Sequence, residues 1–269
     1  MRMTISSRKT LCVTAMTLAL ISGAHASATR TFISGAGNDS NASMNCARLT
    51  PCRTLQVALG VTTLPGGEID ALDAAGYGSI STTLTSSITI LGVPGAAISV
   101  PASGAGITIN APGNTVIVDS FHFTGGGASS STGVTLNGGN LVMRNSVLKM
   151  LTTGLAVNSA HATLLNVDVI GNGTGITTTG TGLQPNDGVN TGVTEVLLDG
   201  GSVINNTTAF FMNGPGLDGD SDPQVTILIF AIGSGLTTSI SGNTTAVSGT
   251  GTGCPCSNLG TYQSLNNPH

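Results

Sequence analysis

An internal repeat of 21 residues constrains the fold of this chain more than any other feature. Asn145 and Asn166 open equivalent segments, and Gly154 and Gly175 recur at the same interval. Fixed periods of roughly 20 residues are typical of proteins built from stacked repeats. The repeat therefore predicts a solenoid.

A second signature overlaps the first. It begins at Asn172, Asn206 and Asn243, with spacings of 34 and 37 residues. Each Asn is followed by Gly or Thr, then Thr, then a small residue and then an apolar residue. We interpret the longer spacings as 21-residue units that carry insertions at 182–194 and 213–223. Asn tolerates left-handed turn conformations, and stacked Asn side chains can hydrogen-bond from one unit to the next.

The apolar segments within the units have the length of strands, not of helices. Three short strands and three turns per unit would bury a continuous column of Val, Ile and Leu when the units stack. The predicted fold is all-β, a single right-handed parallel β-helix, with a β-sandwich as the alternative. The predicted strands lie at 88–91, 115–118, 141–143, 163–165 and 196–198.

One short helix is predicted near the start of the repeats, at 54–59, with Leu55, Ala58 and Leu59 on one face. We place its N-cap at Thr50, because Pro51 suits the first helical position, and its end at Gly60. This helix is expected to cover the open end of the β-column, since an uncovered solenoid end exposes both strand edges and core.

The first 28 residues have the pattern of a secretory signal peptide. Cations in the first nine residues precede an apolar stretch at 11–21, and small residues at 24–28 fit a cleavage site. The apolar stretch is shorter than the roughly 20 residues that a membrane span needs. We therefore predict a secreted or periplasmic protein with no membrane insertion after leader cleavage. The predicted regions are a signal peptide at 1–28, an N-terminal strand, disulfide loop and capping helix at 29–66, the β-helix at 67–250 and a C-terminal tail at 251–269.

Cleavage would leave five cations against twelve acids. Such a chain lacks the basic patch that neutralises phosphates, so nucleic acid is excluded as an expected partner. Four cysteines remain after the leader, an even number that suggests disulfides in an exported protein. Cys46 and Cys52 could bridge directly, whereas a bond between Cys254 and Cys256 would be strained and a cross-link between the two ends stays open.

The start of the chain resembles a known group of proteins. The segments TFISG at 31–35, GNDSN at 37–41 and PCRTLQVAL at 51–59, followed by GEIDALD at 67–73, resemble the opening segment of secreted parallel β-helix proteins of the pectate-lyase-like superfamily. The following segments resemble the first coil of small proteobacterial members with no assigned function. The resemblance implies the β-helix fold, which carries many different functions.

Superfamily lyases use a Lys or Arg base together with a cation, often calcium, that holds an acidic sugar. Lys149 and Arg144 are the candidates for such a base here. A lysine base needs burial or neighbouring cations to lower its pKa. Because no second cation accompanies Lys149 and its counterpart one repeat later is Ile170, we interpret it as a solvated surface lysine.

Carboxylates and histidines provide no clearer catalytic set. A glycosidase would need two carboxyl groups flanking one bond, and Asp119, Asp168 and Asp199 lie on different repeats without evident register. Neither His122 nor His161 has a nucleophile at a recognisable spacing. Aromatic residues are scarce, with six Phe, two Tyr and no Trp, so few aromatic faces are available on which sugar rings could stack.

An acidic loop is the candidate metal site. Asp218, Asp220 and Asp222 alternate as in calcium-binding loops, although the closing Glu is absent and position 229 is Ile. We expect at most a weak calcium site that stabilises this loop, and no other cofactor.

These observations favour an exported β-helix protein without catalysis, in a structural, cell-surface or weak glycan-binding role, with polysaccharide as the expected partner. One alternative is a polysaccharide lyase or glycoside hydrolase that acts on acidic polysaccharide. A second alternative is a calcium-stabilised adhesin. The sequence leaves the oligomeric state open.

Overall fold

The structure is a computed structural model that describes residues 29–126, 130–180, 194–213, 225–230 and 238–250. The described chain is all-β, and its strands pair in parallel. Its strands are β1 (Arg30–Ile33), β2 (Gly67–Ala71), β3 (Ile88–Leu91), β4 (Ala97–Ser99), β5 (Ser103–Ile109), β6 (Thr115–Asp119), β7 (His122–Thr124), β8 (Ser130–Leu136), β9 (Asn140–Arg144), β10 (Val147–Lys149), β11 (Thr153–Asn158), β12 (His161–Ile170), β13 (Thr174–Thr179), β14 (Thr194–Ile204), β15 (Thr208–Asn213), β16 (Val225–Phe230), β17 (Ser239–Ser241) and β18 (Thr245–Thr250). Its helices are a 3₁₀ helix (Asp39–Met44) and α1 (Leu55–Val61).

The strands form three parallel columns. The first column runs β1-β2-β3-β6-β9, continues through the first halves of β12 and β14, and ends at β16. The second runs β4-β7-β10, then through the second halves of β12 and β14 to β17. The third is a separate six-stranded sheet, β5-β8-β11-β13-β15-β18. From β3 onwards the chain visits the three columns in turn and then returns to the first, an order compatible with a solenoid.

The register confirms the predicted repeat. Asn145 pairs through its side chain with Asn166, 21 residues later. Equivalent contacts join Asn172 to Asn206 across 34 residues and Asn206 to Asn243 across 37 residues. The five predicted strands coincide with β3, β6 and β9 and with the first halves of β12 and β14. The two predicted insertions fall almost entirely outside the described residues.

The interior is a stack of aliphatic side chains, because alternate residues of each strand point inward. One inward row of the first column shows this at its simplest, since every member is at most 1% exposed. Its members, in stacking order, are Ile69, Ile90, Val118, Met143, Leu164 and Leu198. Each strand therefore contributes one layer to a continuous core.

A row of glycines lets successive strands of the third column stack closely. A Cβ atom on Gly133 would lie 2.5 Å from the carbonyl oxygen of Gly154, and one on Gly154 would lie 2.5 Å from that of Gly175. Real side chains do not approach backbone this closely, so the structure leaves no room for a side chain at Gly133 or Gly154. Ala209 follows Gly175 in the row.

A buried asparagine ladder connects the second column to the third. Asn206 is 1% exposed, and its Oδ1 accepts hydrogen bonds from the backbone N–H (2.9 Å) and the Nδ2 (3.0 Å) of Asn172. Its own Nδ2 donates to the carbonyl oxygen of Val169 (3.0 Å) and to Oδ1 of Asn243 (3.1 Å). The ladder satisfies polar groups that the turns would otherwise bury without partners.

A second, exposed ladder forms where the first column turns into the second. Asn166 donates to Asn145 at 3.0 Å, and both residues have positive φ, 55° and 47°. Asn adopts this left-handed region more easily than most residues. The predicted role of Asn, in turns and in hydrogen bonds between repeats, is thus confirmed at these positions.

The cap helix is present, but its predicted start was wrong. Helix α1 begins at Leu55 with Thr54 as N-cap, and it runs past Gly60 to Val61. Thr50 does not cap it, because Asp39 from the 3₁₀ helix accepts the backbone N–H groups of Arg53 and Thr54 at 2.8 and 2.9 Å. The predicted apolar face is confirmed, since Leu55, Ala58 and Leu59 are all buried in the core.

The predicted disulfide between Cys46 and Cys52 is also confirmed, with Cα atoms 5.0 Å apart. Backbone hydrogen bonds from Phe32 to Cys46 and from Cys52 to Phe32 hold the bridged loop against β1. The predicted signal peptide, the predicted C-terminal tail and Cys254 and Cys256 lie outside the described residues. Within the described residues, no helix is long and apolar enough to cross a membrane.

The buried ladder gives a stability prediction. The substitution Asn206→Ala removes an acceptor for Asn172 and a donor for the Val169 carbonyl, so it should lower the free energy of unfolding by about 3 kcal/mol. Asn158→Ala is the matched control, because Asn158 donates a single exposed hydrogen bond to Asn137. The control should cost under about 0.5 kcal/mol. Urea unfolding measures both, and equal losses would show that the buried ladder has no special role.

Candidate functional site

The two candidate bases lie on different columns. Lys149 is on the second column, where its in-register neighbours are Thr124 and Ile170 and carry no charge. Arg144 is on the first column, and its Nε lies 3.2 Å from Oδ2 of Asp119. The turn at Asn145 separates their strands. The arrangement therefore gives Lys149 no charged in-register neighbour, and it holds Arg144 in an ion pair with Asp119.

The candidate carboxylates do not form a catalytic pair either. Asp119 and Asp199 prove to be in register on the first column, which corrects the sequence interpretation, but Arg144 and Leu165 stand between them. Three strand spacings amount to about 14 Å, beyond the roughly 6.5–9.5 Å of an inverting glycosidase. Asp168 is on the second column and accepts a hydrogen bond from Ser202 at 2.6 Å.

The described residues contain no group of three His, Cys, Asp or Glu side chains that could hold a metal ion. The predicted calcium ligands Asp218, Asp220 and Asp222 lie outside the described residues, so that site stays a prediction. His161 lies with its Nδ1 3.4 Å from Oε2 of Glu195, and His122 sits on β7 between Ala97 and Val147.

A hydrogen-bonded cluster around Asp73 has perturbed acidities. The Tyr77 hydroxyl donates to Oδ1 of Asp73 at 2.5 Å, the backbone N–H of Gly35 donates at 2.7 Å, and Ser34 donates at 2.7 Å. These hydrogen bonds lower the pKa of Asp73, and the bond from Tyr77 has the largest effect. Burial raises the pKa of Tyr77 well above its usual value, and the Asp73 carboxylate adds to that increase.

We interpret the Asp73 cluster as structural. Perturbed acidities can mark functional sites, but ion and hydrogen-bond networks that support a fold produce them as well. Tyr77 is fully buried and packs edge-on against Phe121, with ring centroids 6.3 Å apart. The cluster holds the segment after β1 against the loop after β2. Because Tyr77 is buried, a substrate could not reach its hydroxyl group there.

A second charged cluster fastens β1 to β2. Arg30 Nε lies 2.7 Å from both Oε1 of Glu68 and Oδ2 of Asp70. Burial, followed by the charge of Asp70, raises the pKa of Glu68, and Arg30 opposes the increase. This cluster also stabilises the start of the first column.

The outer surface of the third column has a different character, since its six strands contain no charged residue. Its outward side chains form straight rows, because strands in register place equivalent residues about 4.8 Å apart. We call this surface the third-column face and define it by three rows. They are Thr132, Thr153, Thr174, Thr208 and Thr245; Thr108, Thr135, Ala156, Thr177, Phe211 and Ser248; and Asn137, Asn158, Thr179 and Asn213.

Phe211 is the one aromatic side chain of this face. It is half-buried and lies in register between Thr177 and Ser248, whereas its neighbour Phe210 is buried in the core. Sequence reasoning missed it, although the signal was present. Aligning the segments that begin at Asn172 and Asn206 places Phe211 opposite Thr177, which points outward.

Comparison with known proteins adds no relative. The chain matches no protein-family model, no curated protein and no solved structure. Its function therefore has to be inferred from its own geometry.

The Asp73 cluster gives a pH prediction. Tyr77→Phe removes the strongest hydrogen bond to Asp73, so the pKa of Asp73 should move up towards its ordinary value, and stability at neutral pH should fall by about 1 kcal/mol. A lowered folded-state pKa stabilises the protein above the unfolded-state pKa, and this contribution is lost as pH falls through the folded-state value. The stability difference between wild type and variant should therefore shrink in acid.

Denaturant unfolding between neutral pH and pH 3 measures that difference. Ser202→Ala is the control, because Ser202 bonds Asp168 on the second column and does not touch Asp73. A Tyr77→Phe difference that stays constant with pH would contradict the assigned role of the hydroxyl.

Proposed function

We propose that this chain is an exported right-handed parallel β-helix of the pectate-lyase-like kind that binds an uncharged glycan along its third-column face without catalysing a reaction. The parallel columns, the 21-residue register and the capping helix support the β-helix. The disulfide between Cys46 and Cys52 supports an oxidising, extracytoplasmic location.

One observation supports the proposed binding of a glycan. The six strands of the third column carry no charge, and their outer rows are mostly Thr, Asn and Ser. Hydroxyl and amide groups both donate and accept hydrogen bonds, which matches the hydroxyl groups of neutral sugars. An acidic polysaccharide would instead favour Arg or Lys, or a bound cation, to pair with its carboxylates. The described part of the face offers neither.

Phe211 gives this face a point of attachment. Aromatic rings supply a large apolar contact at low entropic cost, and the flat C–H faces of sugar rings stack on them. Thr177 and Ser248 lie directly beside the ring, so hydroxyl groups can bind the edges of a sugar that stacks on it. The rows extend over several strands, which suits an extended chain better than a single sugar.

The same surface argues against chemistry at this face. General acid–base catalysis needs a titratable side chain within hydrogen-bond reach of the reacting atom. The described strands of the third column contain no Asp, Glu, His, Lys or Arg. We therefore propose binding, of the modest strength that an open and flat surface allows.

The test is binding to neutral and acidic polysaccharides by affinity electrophoresis. We expect retention by one or more neutral glucans or similar chains, and a loss of about fivefold in affinity for Phe211→Ala, since an aromatic contact is worth about 1 kcal/mol beyond its area. Ile170→Ala is the matched control, because Ile170 is an outward, half-buried apolar residue of the second column. It should bind like wild type.

Two results would contradict the proposal. One is binding confined to acidic chains such as pectate or alginate. The other is affinity that Phe211→Ala leaves unchanged. Release of unsaturated or reducing products that disappears with Lys149→Ala would instead favour the lyase or hydrolase alternative.

A further inference from the structure

The first strand of the first column is held in place by an uneven set of charges. Strand β1 lies at the end of the column and pairs in register with β2. Its Arg30 faces Glu68 and Asp70, which lie two residues apart on the outer side of β2. We call these three residues the β1 clasp. Two carboxylates facing one guanidinium group leave one negative charge without a partner.

Arg30 does not serve the two carboxyl groups equally. Its Nε lies 2.7 Å from Oδ2 of Asp70 and 2.7 Å from Oε1 of Glu68, but this nitrogen carries a single hydrogen. That N–H donates to Asp70, and a terminal nitrogen of Arg30 lies 2.5 Å from the same oxygen. Arg30 therefore stabilises the ionised form of Asp70 more strongly than that of Glu68.

The two carboxyl groups are also crowded and partly removed from water. Two oxygens that both lie 2.7 Å from one nitrogen are close neighbours, and the side chains of Glu68 and Asp70 are 31% and 12% exposed. Oδ1 of Asp70 is buried and has no hydrogen-bond partner in the described part of the chain. A buried carboxylate oxygen without a donor is costly. A proton donor at this position would therefore stabilise the clasp.

The elements around the clasp do little to offset its excess charge. On β3, the in-register neighbours of the two carboxyl residues are Thr89 and Leu91, which carry no charge. Helix α1, which packs on the inner side, contains no charged residue. The loop before α1 contributes Arg48, whose guanidinium group lies over the Phe32 ring, 5.8 Å from the ring centre. The excess negative charge is thus best removed by a proton.

We propose that Glu68 and Asp70 share one proton, which makes the β1 clasp a pH-dependent attachment of the N-terminal strand. The protonated Glu68 carboxyl donates to Asp70, gives Asp70 the donor that it lacks, and leaves one carboxylate facing one guanidinium group. When the proton leaves, two carboxylates lie side by side, and like charges this close repel each other. Strand β1 is then held less firmly against β2.

The acidity of Glu68 agrees with this arrangement. Burial, followed by the charge of Asp70, raises the pKa of Glu68, and a hydrogen bond to Asp70 adds to the increase. A raised folded-state pKa stabilises the protein below the unfolded-state pKa, and this contribution is lost as pH rises through the folded-state value. The clasp therefore responds to pH in the opposite direction to Asp73, whose contribution is lost in acid.

Carbon-13 NMR of the whole protein tests the shared proton directly. The chain contains only two glutamates, Glu68 and Glu195, so labelling of the glutamate carboxyl carbons gives two signals, which Glu195→Gln assigns. The Glu68 signal should titrate above the ordinary pKa of 4.5. Asp70→Asn removes the neighbouring charge, so it should lower that midpoint. A wild-type midpoint at or below the ordinary value, or one that Asp70→Asn leaves unchanged, would overturn the proposal.

Amide hydrogen exchange tests the attachment of β1. The N–H groups of Glu68 and Leu72 donate to the carbonyl oxygens of Thr29 and Ile33, so their protection reports how firmly β1 is held. After correction for intrinsic exchange, both should be better protected at about pH 5 than at about pH 8. Glu68→Gln carries an amide that donates at every pH, so its protection should be the same at both pH values.

Asp168→Asn is the matched control, because it removes the charge of an outward carboxylate on the second column, far from the clasp. It should keep the pH dependence of the wild type. Equal protection of the wild type at both pH values would contradict the proposal. A Glu68→Gln protein that keeps the wild-type pH dependence would also contradict it, because another group would then be responsible.

Discussion

The structure depends on one constraint, that every strand stacks in register on its equivalent in the next repeat. Parallel strands pair through slanted backbone hydrogen bonds, and a shift of one residue would turn each inward side chain outward. Two features of the chain oppose such a shift. Asn206 of the buried ladder bonds its counterparts Asn172 and Asn243 in the neighbouring repeats. The glycine row around Gly154 admits the neighbouring backbone only where a side chain is missing.

Register converts a repeated sequence into surfaces of uniform character. Because equivalent residues line up across several strands, a preference at one position of the repeat becomes a row on the outside of the molecule. Thr at one such position produces the threonine row of the third column, and at another position Ile117 and Val142 lie side by side on the outside of the first column. The same constraint that builds the core thus builds outer rows of different chemistry, one of hydroxyl-bearing side chains and one of aliphatic side chains.

Much of the fold could be predicted from the sequence because the register is visible there. Asn145 and Asn166 mark one repeat, and the spacings to Asn206 and Asn243 locate the longer ones. The prediction failed where a contact depends on residues far apart in the sequence. The N-cap was misplaced because Asp39 occupies the N–H groups of Arg53 and Thr54, and no local pattern reveals that.

The candidate site was harder to predict. The sequence did not show Asp119 and Asp199 in register because their repeats differ in length. The successive pairings of β6 with β9, β9 with β12 and β12 with β14 place them in one row. Catalytic sites are recognised in a sequence by their charged residues, whereas the third-column face is defined by having none. Phe211 could have been found by extending the Asn172 and Asn206 alignment one residue at a time.

Removal of one whole repeat tests the dependence on register most directly. Deleting residues 146–166 joins Asn145 to Val167, so that β9 continues into the second half of β12. The strands on either side of the lost repeat then pair with the equivalent strands one repeat further on, β9 with the first half of β14, β7 with the second half of β12 and β8 with β13. This shortened chain should unfold cooperatively, with an unchanged β-sheet circular dichroism spectrum per residue. A deletion that is one residue shorter should fail to fold, because the extra residue shifts the register by one. The apolar side chains of every later strand would then face outward instead of into the core. Equal behaviour of the two deletions would contradict the account.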